Sequence, residues 1–174
     1  MNTIRNEINE INTVDKDSRQ GIFFGINSGI LTTLGVIAGI SQATTNPMYI
    51  VVSVLSLAIS DCVGEAYGMY LSKKAEQVND KGNGPLLSLI SVFLAKFLTV
   101  LIFLVPLLFS WNLKYFKNLV WPIFYSIIVL VIIDYRLAKL RNEKPTQYII
   151  NHLILLIIVA ISTKYIGVIL SKFH

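Results

Sequence analysis

The chain has 174 residues, 54% of them apolar and only 14% charged, with a net charge of +5 and a single cysteine. Soluble domains carry nearer a quarter of their residues charged, so the composition points to a membrane protein, and the length leaves room for one bundle rather than two sizeable domains. Lone Cys62 excludes an intramolecular disulfide framework. The basic residues are spread over short connecting segments without aromatic interleaving, which argues against nucleic acid as a partner.

Residues 1–20, MNTIRNEINEINTVDKDSRQ, are polar and contain no apolar core of a cleavable signal peptide. Ile4, Ile8 and Ile11 recur at helical spacing. That spacing fits a short amphipathic helix on the cytoplasmic surface, and the composition fits a solvated tail equally well. Residues 21–174 then read as a membrane domain. Its five apolar stretches are 21–42, 48–71, 86–110, 119–138 and 149–170. Each holds about twenty residues or slightly more, enough to cross ~30 Å of hydrocarbon. In lipid each must be helical, because its backbone polar groups find no water. The expected fold is an all-α integral membrane protein, a five-transmembrane-helix bundle that is multi-pass and, in a prokaryote, held in the cell membrane.

The connections TTNP, KKAEQVNDKGNGP, WNLKYFKN and AKLRNEKPTQ are too short to form domains. They set the orientation. Arg5, Lys16, Arg19, Lys73, Lys74, Lys81, Arg136, Lys139, Arg141 and Lys144 fall on one side, against Lys114, Lys117, Lys164 and Lys172 on the other. By the positive-inside rule the N-terminus is cytoplasmic. Trp111 and Trp121 fit an aromatic belt on the outer side.

The first span, GIFFGINSGILTTLGVIAGIS, places Gly21, Gly25 and Gly29, and again Gly35 and Gly39, four residues apart. The second carries Gly64 and Gly68 at the same spacing. Small residues so spaced let helix backbones approach closely, which predicts that these two helices pack together at the bundle centre. The last three spans are rich in Leu, Ile, Val and Phe, as lipid-facing helices should be.

The second span also contains SDCVGEAYGMYLS, residues 60–72. Counted from Leu71, Glu65 lies ~9 Å and Asp61 ~15 Å inside the helix at 1.5 Å per residue. Lys96 on the third span, and Asn27, Ser28, Thr32 and Thr33 on the first, lie at comparable depths. A charge at the bilayer midplane costs at least ~2.5–3.5 kcal/mol, so Asp61, Glu65 and Lys96 should face the interior. Asp61 and Glu65 share one helix face; Met69 extends it by a turn and Cys62 borders it. Two readings follow. In one, Asp61 and Lys96 form a buried salt bridge that only fixes helix register. In the other, the stripe is an ion pathway lined by Asn27, Ser28 and Thr32, with Lys96 as an internal counter-ion. Asp134 with Arg136 reads as a solvated helix end, Asn151 and His152 as a cap or interfacial pair, Met48 as an apolar contact, and His174 as a disordered terminus.

Oxygen ligands suit hard or borderline divalent cations such as Mn²⁺ and Fe²⁺, while a Met or Cys sulfur tilts toward softer ones. The same carboxylates can carry protons, so metal and proton can compete for one group. Asp61, Glu65 and Asn27 from one chain make a weak site, and a homodimer around an axis would double the ligands. No nucleophile constellation, phosphate loop or hydrolase metal spacing is present, so neither enzymatic activity nor ATP drive is expected.

FFGINSGILTTLGVIAG resembles the first helix of the vacuolar iron transporter family, whose pattern is close to G-x-N-D-G-x-x-x-T followed by a Gly-rich stretch. SDCVGEAYGMYLSKKAE resembles that family's second helix, where a Gly-Glu pair is followed by small residues and a Ser. The matches cover residues 22–77. The resemblance implies a dimer that moves ferrous iron, and often manganese, out of the cytosol in exchange for protons, with Asn27, Gly29 and Glu65 at pathway positions. Three departures stand out. Ser28 replaces the family's Asp, Asp61 replaces a Met four residues before the Glu, and the link KKAEQVNDKGNGP leaves no Glu-rich cytoplasmic domain. The first two changes offset each other if a carboxylate lost from the first helix reappears on the second.

The expectation is therefore a dimeric exporter of Fe²⁺ or Mn²⁺, divergent within that family, with the metal as cargo, protons as exchange partner and no permanently bound cofactor. Its metal residues are Asp61, Glu65, Asn27 and Met69. Ser28, Thr32, Gly29 and Cys62 line the path, and Lys96 is the counter-ion. The alternative is a non-transporting accessory membrane protein whose buried charges only lock helix packing.

Overall fold

The computed structural model describes residues 2–44, 46–76, 83–109 and 120–171, with the backbone alone at 2–15, 106–109, 120–123, 125, 126 and 171. Five helices follow one another: α1 (Asn2–Ala43), α2 (Pro47–Glu76), α3 (Gly84–Phe109), α4 (Val120–Leu140) and α5 (Pro145–Ser171). No strand occurs among the described residues. The helix α1 begins at Asn2 and runs unbroken past residue 20, so the polar segment and the first apolar stretch are one helix. Side chains of Ile4, Ile8 and Ile11, together with Trp111, Trp121, Lys81, Lys114, Lys117, Lys172 and His174, lie outside the described residues.

The helix ends follow local chemistry. Asn46 caps α2: its Oδ1 accepts from the Met48 amide at 2.9 Å and its carbonyl from Tyr49 at 3.2 Å. Pro47 then takes the first helical position, where a missing amide hydrogen costs nothing. At the end of α4 the chain reverses through Asn142, which adopts φ 56°. The Glu143 amide bonds the Ala138 carbonyl at 2.9 Å and the Asn142 amide bonds that of Lys139 at 3.3 Å. Those two bonds are a Schellman stop, with Asn where Gly is commoner. Pro145 opens α5 directly, and α4 and α5 pack side by side.

Among the described residues, four stretches are long and apolar enough to cross a membrane: Lys16–Ala43, Pro47–Glu76, Gly84–Val105 and Pro145–Leu170. Of the apolar window, 44% is buried in α1 but only 6% in α5, so α5 presents Ile154, Leu155, Ile157, Ile158 and Ile161 outward. An apolar exterior of this extent needs an apolar solvent or partner.

The chain forms two compact units, Met1–Gly29 with Leu57–Thr99, and Ile30–Ser56 with Val100–His174. In the first, Gly21, Gly25 and Gly29 lie against α3. A Cβ on Gly25 would stand 2.6 Å from the Val92 carbonyl oxygen, and one on Gly21 2.8 Å from that of Ser88. In the second, Gly35 and Gly39 lie against Val159 and Thr163 of α5, and a Cβ on Gly167 would stand 2.6 Å from the Gly39 carbonyl oxygen. Nothing lies within 4 Å of a Cβ on Gly64 or Gly68. The glycine-spaced seams thus join α1 to α3 and to α5, rather than α1 to α2. Glycine spacing makes a helix face flat; it does not say which helix fills it.

Candidate functional site

The first unit is tied at one end by polar contacts among α1, α2 and α3. Lys73 reaches Asp17 at 3.1 Å and Glu76 at 3.2 Å. Ser88 donates to the Asp17 carbonyl at 3.1 Å, and the hydroxyls of Ser18 and Ser91 are 3.0 Å apart. Asp17 and Lys73 are both buried. Lys73 is therefore a packing group as well as a marker of topology.

Further along the same three helices, one ammonium gathers three acceptors. Lys96 of α3 is fully buried. Its Nζ lies 2.5 Å from Asp61 Oδ2, 2.7 Å from Glu65 Oε2 and 2.9 Å from Ser28 Oγ. The ammonium hydrogen-bonds Asp61 and Ser28 and forms an ion pair with Glu65. Ser28 accepts from Lys96 and donates its own hydrogen to Glu65, with Oε1 and Oε2 at 2.8 and 2.6 Å. Asp61 and Glu65 are one turn apart on α2, which is why one lysine reaches both.

The burial of the cluster is uneven. Lys96 has no exposed side-chain surface, whereas the Asp61 and Glu65 side chains each keep 28% of theirs. The cation is sealed in, and the anions keep part of their surface exposed. With the carboxylates ionised, two negative charges face one positive charge, leaving an excess of one. Isolated buried charge is costly, so the ammonium and the hydroxyl are what make two adjacent carboxylates tolerable here.

The structure therefore brings together Ser28, Asp61, Glu65 and Lys96. Asn27 is half-buried beside Ser28 in sequence. Gly29 is buried against α3, where a Cβ would stand 3.1 Å from the Thr99 Cβ. Cys62 is a fully buried free thiol, and Met69 is half-buried one turn beyond Glu65. Thr32 belongs to the second unit and is half-buried there. Among the described residues, no three His, Cys, Asp or Glu converge as a metal-holding group.

A second ionisable pair was not anticipated. Asp134 is fully buried and His152 nearly so, with Nδ1 of His152 2.9 Å from both Asp134 carboxylate oxygens. The expectations of a solvated helix end for Asp134 and a rim cap for His152 are both corrected. The missed signal is symmetry about the α4–α5 turn. Residues 134 and 152 are equally far from Glu143, so an antiparallel hairpin sets them level.

No protein-family model, curated protein or solved structure matches the chain.

Proposed function

We propose that the chain is a multi-pass membrane transporter that exports a divalent metal ion, Fe²⁺ or Mn²⁺, from the cytosol in exchange for protons. The observation that carries this reading is the uneven cluster on membrane-length helices. Two carboxylates with residual exposure share one sealed ammonium, which leaves one negative charge in excess when both are ionised. An arriving cation meets that excess charge, and Lys96 stands in for it when the site is empty. Intramembrane carboxylates are functional candidates by default. The resemblance of the first two helices to the vacuolar iron transporter family supports the cargo class, and the distribution of Lys and Arg supports a cytoplasmic N-terminus.

One chain offers Asp61, Glu65 and Asn27 as oxygen ligands, with Met69 further along α2. A second copy would complete the coordination. The α2 helix has a surface for that copy: Ser56, Ser60, Gly64, Gly68 and Ser72 recur every four residues, and all are exposed. Small residues at this spacing let two helices approach closely.

A second reading has its own support. Lys96 hydrogen-bonds Ser28 and Asp61 and pairs with Glu65 within the chain, as a purely structural lock requires. Purified protein in liposomes separates the two. Fe²⁺ and Mn²⁺ entry is followed with a trapped fluorophore beside a lumenal pH dye. Metal entry with opposite proton movement, abolished by Glu65→Ala, is the expected result. Absence of flux from folded dimeric protein, with full cellular function retained in the Lys96→Met, Asp61→Leu double variant, would establish the lock instead.

A further inference from the structure

The second unit contains a buried ionisable pair that the cation cluster does not use. An ionised carboxylate only accepts hydrogen bonds, so with Asp134 ionised Nδ1 of His152 carries the hydrogen between them. In the neutral ring the other nitrogen, Nε2, then holds a lone pair. Nε2 is buried and has no hydrogen-bond partner. The carboxylate orients the ring, and the ring offers an unengaged basic nitrogen.

Among the described residues of this unit, the ring is the one buried group that can balance an ionised Asp134. Within this unit, α1 over 30–43, α2 over 47–56 and α3 over 100–105 carry no charged residue, and their one ionisable group, Tyr49, is exposed. On α4, α5 and their turn, Tyr135, Arg136, Lys139, Arg141, Glu143, Lys144, Lys164 and Tyr165 are exposed and Tyr148 is half-buried. Arg141 pairs with Glu143 at 3.1 Å, and Lys139 lies over the Tyr135 ring. Among the described residues of the unit, Asp134 and His152 are the only buried ionisable groups. With the ring neutral the pair carries one buried negative charge; with the ring protonated it carries none.

We propose that the Asp134–His152 pair is a proton-binding site, with Nε2 of His152 the accepting atom. One proton adds to Nε2, the imidazole becomes an imidazolium, and no other bond changes. The site stands whether or not the chain moves metal; only its role as carrier of the exchanged proton rests on the transport reading. In that role it keeps the proton on a different pair of helices from the carboxylates that meet the cation.

The test uses the full chain in lipid nanodiscs with ¹⁵N-labelled histidine. The chain has two histidines, so His174→Gln leaves a single ring to observe. The expected result is a neutral tautomer with hydrogen on Nδ1 at alkaline pH, passing to the imidazolium as the pH falls. In Asp134→Asn the hydrogen loses its fixed place on Nδ1, because the ring loses the carboxylate that orients it. A ring that keeps one form from alkaline to acid pH in folded protein overturns the proposal, as does a neutral tautomer with hydrogen on Nε2. The wild-type ring decides this even where Asp134→Asn does not fold. His152→Asn keeps a donor toward Asp134 and serves the coupling test in liposomes. Metal entry with the proton counterflow lost places the exchanged proton here, and undiminished counterflow removes that role. A titrating ring in protein that moves no divalent metal leaves the site standing and overturns the transport reading alone.

Discussion

Ser28 donates one hydrogen toward both carboxylate oxygens of Glu65, at 2.6 and 2.8 Å, while accepting from Lys96. The serine hydroxyl is thus the joint between an anion on α2 and a cation on α3. Ser28→Ala removes an acceptor from a buried ammonium and a donor from a carboxylate. Leaving such groups unsatisfied costs about 1–3 kcal/mol. The variant is expected to unfold at lower temperature in detergent, and Ser28→Thr to lie nearer the wild type.

The exchange of a carboxylate between helices has its own test. If Asp61 substitutes for an acidic group at position 28, Asp61→Asn should reduce metal flux strongly in liposomes, and Ser28→Asp added to it should restore part of the loss. Flux in Asp61→Asn equal to the wild type would refute the idea.

Lys96→Met leaves Asp61 and Glu65 side by side without their cation. Removing one partner of a buried ion pair typically costs 3–5 kcal/mol, so we expect a loss of about that size in unfolding measurements. Replacing partners together is milder, and Lys96→Met with Asp61→Leu should recover most of the stability. If the single variant were as stable as the wild type, the ammonium would not be what holds the two carboxylates together.

Glycines at the same sequence spacing should respond in opposite ways. Gly25→Ala sets a methyl group against α3 backbone, with the Val92 carbonyl oxygen 2.6 Å away. Overpacking of that kind costs about 1–3 kcal/mol. Gly64→Ala meets nothing within 4 Å, and open positions of this kind usually shift stability by less than about 0.5 kcal/mol. Paired thermal melts of the two variants check the contrast.

Those open positions should matter between chains. Gly64→Leu with Gly68→Leu is expected to give folded monomers, read by cross-linking and by mass in detergent. Dimers that survive both changes would show that the copies do not meet along α2.

The helices were legible because an apolar stretch of about twenty residues has one backbone solution in lipid. The α1 start was only half legible, because Ile4, Ile8 and Ile11 recur at helical spacing while the polar composition of residues 1–20 fits a solvated tail equally well. Asp61, Glu65 and Lys96 could be brought together from spacing and depth alone, since charges that cannot face lipid must face one another. Ser28 came through its level on the first helix. The pairing of α1 with α3 was hidden, because α3 contributes Ser88, Val92 and Thr99 to the seam, ordinary residues with no spacing of their own. Asp134 and His152 were misread because each was weighed alone; a buried pair is visible only once the turn aligns its two helices.

The α1–α3 seam is backbone against side-chain root, with no long side chain between. Two helices in such contact cannot slip by a residue without collision, so the separation of Ser28 from Lys96 is dictated by main chain. Asp61 and Glu65 arrive from α2, whose Gly64 and Gly68 touch nothing. The cluster accordingly joins two kinds of contact: hydroxyl and ammonium on helices set backbone to backbone, and carboxylates on a helix tied to them through side chains such as Lys73 on Asp17.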